Sequence, residues 1–333
     1  MDSMIFIEAI PRIRVLETRL LDKPKLDRMC EAASIHEVFR VLEETEYSSI
    51  MGNIKSQEDY EKILSMELRR VYKLMYEICP VGAVVDVMSK KYDYHNLKVL
   101  AKGKFLNKDF SDILVHAGST DFQKVKVQIE DEYFRDFNPV MRKTLEKVME
   151  DFQDKKDPQR IDLILDNGYF EELRSLDDEI RDEFLHKYIT ALIDITNLKT
   201  MLRIKKQDKG REFLGNVVIS GGSIDKDILL SLLTDSPENI SGKLSHTNYC
   251  NILKTGIEAY VKEGTSVVFE KLSEDYIMDL MKKAKYITFG LEPIVAYIYA
   301  KETEIMLLRI IMIGKLNNIP SELIKERLRE AYV

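Results

Sequence analysis

Six residues that come back constrain this chain more than any other feature of it. Asp93-Tyr94-His95-Asn96-Leu97-Lys98 returns in type as Asp194-Ile195-Thr196-Asn197-Leu198-Lys199, and Glu304-Ile305-Met306-Leu307-Leu308-Arg309 keeps the acid, the Leu and the base. Other markers keep step with them. Gly103-Lys104 follows the first stretch at the same offset as Gly314-Lys315 follows the third. A small residue plus Ser precedes each stretch, as Ala33-Ser34-Ile35, Gly118-Ser119-Thr120 and Gly222-Ser223-Ile224, and after two of these an acidic run ends in Tyr47 or Tyr133. Ordered markers of this kind indicate a triplicated unit of roughly a hundred residues, too long for a solenoid repeat and the size of a small domain. The expected division is 1–117, 118–221 and 222–333.

The expected fold class is all-α. Only 14 Gly and 8 Pro interrupt 333 residues, so long helices are possible, and a 45% hydrophobic content supplies their cores. Sustained period-two alternation is missing; Val217 to Ile219 is the most strand-like run and it is short. The formal net charge of −7 lacks the basic footprint that nucleic-acid binding needs. Cys30, Cys79 and Cys250 are scattered and form no C-x-x-C pair, which reads as a reduced, cytosolic protein. The first ten residues lack a signal-peptide pattern, and no apolar run approaches the roughly 20 residues that span a bilayer.

Along the chain, helical spacing is expected from Pro11 to Leu26, from Ser34, whose hydroxyl can cap, through Leu42, and from Ser56 to Tyr76. A helix carrying the first recurring stretch should stop near Gly103. In the middle of the chain, Asn167-Gly168 reads as a break, and Leu176 to Lys206 as one long helix with the second stretch. Leu233 to Thr247, with Pro237, Gly242 and several Ser, is the best loop candidate. Pro293 suits the first turn of a last long helix, apolar on nearly every face, that Gly314 should end.

Catalytic patterns are missing. No segment fits the phosphate-cradling G-x-x-x-x-G-K-[ST], and Gly103-Lys104 and Gly314-Lys315 read as helix ends. His36, His95, His116, His186 and His246 have no second ligand one turn away, so neither a metal nor another cofactor site is expected. The candidate residues are those of the recurring stretch. Asp93 and Asn96, like Asp194 and Asn197, share a helix face, while Lys98 and Lys199 lie about 140° round from the acid. Glu304 and Arg309 hold the corresponding places. Two readings are open: the acids and amides satisfy buried backbone groups within each unit, or they line a rim that faces a partner.

The residues that carry a family resemblance run nearly the length of the chain. They are Arg12-Ile13-Arg14-Val15-Leu16-Glu17-Thr18-Arg19-Leu20-Leu21, Leu42-Glu43-Glu44-Thr45-Glu46-Tyr47, Tyr94-His95-Asn96-Leu97-Lys98, and Glu292-Pro293-Ile294-Val295-Ala296-Tyr297 with Ala300-Lys301-Glu302. Arg309-Ile310-Ile311, Gly314-Lys315-Leu316-Asn317 and Ile324-Lys325-Glu326-Arg327-Leu328-Arg329 complete them. Together they resemble the C subunit of V/A-type rotary ATPases, the equivalent of the d subunit of the vacuolar enzyme. Leu307 departs from the pattern, where the family often has Asn.

The resemblance implies three similar helical domains forming a funnel with pseudo-threefold symmetry. It implies a non-catalytic socket between the central-stalk subunits of the ATPase head and the membrane rotor ring, peripheral on the cytoplasmic face, a monomer within a hetero-oligomeric complex. Two other classes stand beside it: an unrelated three-domain helical scaffold or adaptor, and an enzyme acting on a small anion.

Overall fold

A computed structural model describes residues 2–52, 56 and 59–333. Among them the chain is 74% helix, in 17 α-helices, with no strand. In order these are α1 (Ala9–Glu17), α2 (Lys23–Glu31), α3 (Ile35–Glu43), α4 (Ser48–Met51), α5 (Tyr60–Ile78), α6 (Gly82–Leu106), α7 (Phe122–Glu130), α8 (Pro139–Lys155) and α9 (Pro158–Ile180). They continue as α10 (Glu183–Lys206), α11 (Arg211–Val217), α12 (Lys226–Leu232), α13 (Pro237–Lys243), α14 (Cys250–Glu263), α15 (Val267–Lys282), α16 (Glu292–Leu316) and α17 (Ser321–Arg327). No helix of the described residues is long and apolar enough to cross a membrane.

The chain divides into two compact units. The first comprises Met1–Val99, Phe110–Val125 and Met278–Val333. Its centre is α16, which packs against α1, α2, α3, α5 and α17. That is why α16 is apolar on nearly every face: Ile294, Val295, Ala296, Leu308 and Ile311 are all fully enclosed. Tyr72 and Tyr92 donate hydroxyl hydrogen bonds of 2.6 and 2.7 Å to Glu302, which also pairs with Lys91, so polar bonds fix the register of α5 and α6 on α16. The second unit comprises Leu100–Asp109 and Lys126–Ile277. In it α9 packs between α8 and α10, and α10 carries α11 and α12 on another side.

Several boundaries differ from the sequence reading, each for a local reason. The pattern from Pro11 to Leu26 is two helices, because Asp22 caps α2 by accepting the Lys25 amide at 3.0 Å, with Pro24 in the first turn. Ser34 occupies a cap position without its hydroxyl capping; Glu37 reaches back to the Ala33 amide instead. The stretch from Leu176 to Lys206 is split at Arg181, which is left-handed (φ 53°), and Asp182, which caps α10. Asn167-Gly168 breaks nothing. There α9 runs straight on, and a Cβ at 168 would strike the Thr144 side chain on α8, so the glycine permits a close helix crossing. The expected loop from Leu233 to Thr247 contains the short helix α13.

The helix ends are the most instructive difference. Neither Gly103 nor Gly314 stops its helix; α6 continues to Leu106 and α16 to Leu316, and Gly314 lies against Ile324 of α17. The terminators are Asn107 (φ 50°) and Asn318 (φ 53°), and after α10 it is Asp208 (φ 52°). Each follows its acid, Asp93, Glu304 or Asp194, at the same offset. The next amide then bonds back over six residues, Lys108 to Gly103, Lys209 to Ile204 and Ile319 to Gly314, the pattern of a left-handed helix stop.

Candidate functional site

The recurring acids and amides are buried and pinned to backbone. In the first unit, Asp93 on α6 accepts the Ser119 hydroxyl at 2.7 Å and the Thr120 amide at 3.1 Å. One turn on, Asn96 bonds Val115 twice, donating to its carbonyl and accepting from its amide, both at 2.8 Å. In the second unit, Asp194 on α10 accepts the amide (3.1 Å) and hydroxyl (2.5 Å) of Ser223 and the Ile224 amide (3.1 Å). Asn197 bonds the carbonyl and amide of Ile219 at 2.8 and 2.9 Å. Both pairs bond loop backbone within their own unit.

Glu304 does the same work through a different partner. It accepts the Leu21 amide at 2.6 Å and the Tyr47 hydroxyl at 2.8 Å. Thr120, Ile224 and Leu21 have one thing in common: each immediately precedes an aspartate that caps a short helix. Asp121 accepts the Gln123 amide of α7, Asp225 the Asp227 amide of α12, and Asp22 the Lys25 amide of α2. So the core-helix carboxylate anchors the start of a short helix three times over. Gly118 and Gly222 make two of the anchors possible, since a Cβ at either position would overlap Oδ1 of Asp93 or Asp194. Ala33-Ser34, the expected third counterpart, plays no such part; Leu20-Leu21 does.

A lysine recurs at the other end. Lys104, Lys205 and Lys315 follow their acids by one common offset. Lys104 donates to the Ile129 carbonyl at 2.9 Å, at the end of α7, and Lys205 to the carbonyls of Leu233 (2.6 Å) and Asp235 (2.7 Å), beyond α12. Lys315 bonds the Ser321 hydroxyl at 3.1 Å and lies near Cys30 at the end of α2. Burial pushes that thiol up to about 11, with Asp27 adding to the rise and Lys315 opposing it. A cation at the carboxyl end of a helix and an anion at its amino end both complement the helix dipole. Eleven helical residues advance about 16 Å, the length of a short helix with its caps.

Leu307 holds the helical place of Asn96 and Asn197 without their bonds to loop backbone. Val115 and Ile219 lie five residues before Thr120 and Ile224, in loops whose backbone is free to meet an amide. Five residues before Leu21 is Leu16, inside α1, whose carbonyl already serves the amide of Thr18. Instead Leu307 is buried in an apolar recess with Leu20, Leu26, Ala331 and Val333.

The tyrosine counterpart is also corrected. Tyr47 is 1% exposed and bonds Glu304, whereas Tyr133 is 47% exposed. The true match is Tyr249, buried, donating to Asp194 at 2.9 Å. Both end the pattern Leu-x-x-Thr-x-Tyr (Leu42, Thr45, Tyr47; Leu244, Thr247, Tyr249), in which the Thr hydroxyl bonds the Leu carbonyl at 2.6 or 2.7 Å. Burial, then the adjoining carboxylates, raises the pKa of both phenols, so they stay protonated donors.

Around Glu304 lies a buried ionic cluster that the sequence did not single out. The Lys301 ammonium, 1% exposed, is 2.8 Å from both Glu67 and Glu304 and stands over the Tyr47 ring at 4.7 Å. Arg70 clasps Glu67 at 2.7 and 2.9 Å and reaches Glu46, which Arg19 also contacts. Burial opposes charge on both Lys301 and Glu67, yet the partners outweigh it, leaving the lysine pKa raised and the carboxyl below its ordinary value. The signal in sequence is Lys301 three residues before Glu304, on an otherwise apolar helix.

The expected basic positions lie farther out. Lys98, Lys199 and Arg309 are half-buried, and Arg309 forks onto Glu61 at 2.6 and 3.0 Å. Among the described residues no group of His, Cys, Asp and Glu is placed to hold a metal ion.

The fold and these anchors define a helical protein built on three long helices, α6, α10 and α16, each of which holds the start of a short helix through a buried carboxylate. Comparison with known proteins narrows this. Residues 9–327 match the ATP synthase (C/AC39) subunit family, and the chain belongs to it. It is 30% identical over 329 residues to the C subunit of the V-type sodium ATPase of Enterococcus hirae, covering 99% of both chains. It is 29% identical to the C subunit of the A-type ATP synthase of Methanocaldococcus jannaschii (95% of this chain, 84% of that one), and 26% identical to that of Pyrococcus abyssi (96% and 89%). The chain is thus a component of a rotary ATPase complex, and the unrelated scaffold is set aside.

Proposed function

We propose that this chain is a non-catalytic central-rotor subunit: a socket that joins the central stalk of the ATPase head to the membrane rotor ring, passing torque for ATP-coupled ion transport. It would sit as one copy at the cytoplasmic side, held by protein contacts. The observation that carries the reading is the anchored helix itself. Three helices of 25, 24 and 25 residues bear the same acid, lysine and left-handed stop, which supports a body of three similar modules around a pseudo-threefold axis. The proposed sequence division of these modules is 1–117, 118–221 and 222–333, and each anchor joins a core helix of one module to the start of a short helix in another. Membership of the family supports the partners, and tightly bonded packed helices suit a part that must transmit strain.

Within this reading Lys98, Lys199 and Arg309 are the contact candidates, because they are half-buried and partly accessible, whereas Asp93, Asn96, Asp194, Asn197 and Glu304 are buried. Purified central-stalk subunits and rotor ring should each retain the wild-type chain in a pull-down. Lys199→Glu and Arg309→Glu should recover several-fold less while melting within a few degrees of wild type. If the wild-type chain binds neither partner at low salt, the socket reading is wrong. If both variants bind normally, or lose binding only by unfolding, these residues do not form the interface.

A further inference from the structure

The first helix, α1, has two apolar faces. Ile10, Ile13 and Leu16 are buried on the side where it packs on α16. Ile7, Pro11 and Val15 (52% exposed) face outward, and Ile7 and Glu8 carry the helical backbone ahead of Ala9. At about 100° per residue these three side chains fall within roughly 80° of one another, opposite Ile13 and Leu16. Met4 and Ile5, also exposed, extend the apolar surface before the helix.

A second exposed apolar segment is fixed beside this face. Arg14 donates to the carbonyls of Ala284 (2.8 Å) and Ile287 (2.7 Å), while Glu17 holds the same guanidinium at 2.7 Å. The turn Lys283–Tyr286 and the loop after it therefore lie against α1, where they display Tyr286, 88% exposed, and Phe289. Six of the sixteen exposed large apolar side chains among the described residues fall within 4–15 and 286–289. Exposed apolar residues gathered in this way, rather than scattered singly, mark an interaction surface.

Its spacing and its charge state what fits. Apolar side chains recurring at four-residue intervals are the face that one helix offers to another. Arg12, on the flank of the stripe away from Arg14, and Lys283, on the turn, are exposed and donate to no acceptor among the described residues. An unpartnered cation on each side calls for acids on the partner, with one base to meet the exposed Glu8.

We infer that the outer face of α1, with the loop at 286–289, docks an amphipathic helix of another subunit of the rotary ATPase complex, one whose apolar stripe is flanked by aspartate or glutamate. Arg14 presets the loop, so docking has little left to order. The site rests on membership of the family and lies apart from Lys98, Lys199 and Arg309, so it stands whether or not the socket reading does.

A photoreactive side chain tests it in the assembled complex. Val15→benzoylphenylalanine should cross-link on irradiation to a helical segment of another subunit that carries Asp or Glu beside apolar residues, identified by mass spectrometry of the joined peptides. Val15→Glu should lower the amount of this chain recovered in the complex at least fivefold, and Arg12→Glu several-fold, with both variants melting within a few degrees of wild type. Val127→Glu, on α7 and equally exposed but outside this surface, should be recovered as wild type. Cross-links to lipid, to a second copy of this chain, to a basic segment or to nothing would overturn the inference, as would equal recovery of Val15→Glu and Val127→Glu.

Discussion

Replacing Lys301 by Ala lowers the stability of the first unit by about 3–5 kcal/mol, the usual cost of leaving buried charges without their partner. The size follows from what remains. Glu67 and Glu304 each lie 2.8 Å from the ammonium, and without it two carboxylates share one enclosed site. Arg70 still serves Glu67, and Tyr47 still serves Glu304, so the unit weakens rather than failing to fold. Lys301→Met, matched in length and apolar, leaves the same two acids and should be nearly as costly. Adding Glu67→Gln should return part of the loss, because it removes one of the stranded charges.

The measurement is urea unfolding followed by a probe in the first unit. Acid is the direction in which the cluster fails. The folded Glu67 carboxyl lies below its ordinary value, so its contribution is present above the ordinary carboxylate range and is lost as pH falls through the folded pKa. The Lys301→Ala variant should therefore lose less stability on acidification than wild type.

Asp194→Asn is the second large effect. The carboxylate accepts four hydrogen bonds from three residues, Ser223, Ile224 and Tyr249. An amide of the same shape presents an NH2 group toward donors, and at least one buried N–H or O–H is left without an acceptor. A loss of about 3 kcal/mol is expected in the second unit, against about 1 kcal/mol for Ser223→Ala, which removes a single hydroxyl. Gly222→Ala should act on the same anchor, because its Cβ would take the space of Oδ1. Combined with Asp194→Asn it should therefore cost clearly less than the two changes added separately. Guanidinium unfolding monitored at Tyr249 and Tyr276, whose rings meet edge to face at 5.4 Å, reads the local loss.

Part of this arrangement is legible in the sequence, and the limit has a physical cause. Asp93, Asn96, Asp194 and Asn197 stand out because two copies keep both polar residues on a buried helix face. Lys205 does not stand out, because Ile204 replaces the Gly that precedes Lys104 and Lys315, although the lysine itself holds position. The acidic run before Tyr133 resembles the one before Tyr47 in composition, and composition says nothing of burial. The Leu-x-x-Thr-x-Tyr pattern, whose threonine makes a specific turn, carries the true correspondence to Tyr249.

The third anchor is the least visible. Its helix lies late in the chain and its short helix near the beginning, so a search downstream of Glu304 for the small residue plus Ser that marks the other two anchors finds none. Helix existence is clear from periodicity, whereas the splits at Asp22 and Asp182 depend on single caps that periodicity does not register. Gly168 looks like a breaker because space between helices, rather than backbone freedom, is what it supplies.

A cryo-electron-microscopy map of the assembled complex most directly tests the proposed threefold coupling between stalk and ring. That coupling predicts this chain on the rotation axis, between the central stalk and the membrane ring, with α6, α10 and α16 superposed by successive rotations of about 120° and Asp93, Asp194 and Glu304 coinciding. A chain found on the outer, stationary side of the complex, or three long helices that no common rotation brings together, would contradict it.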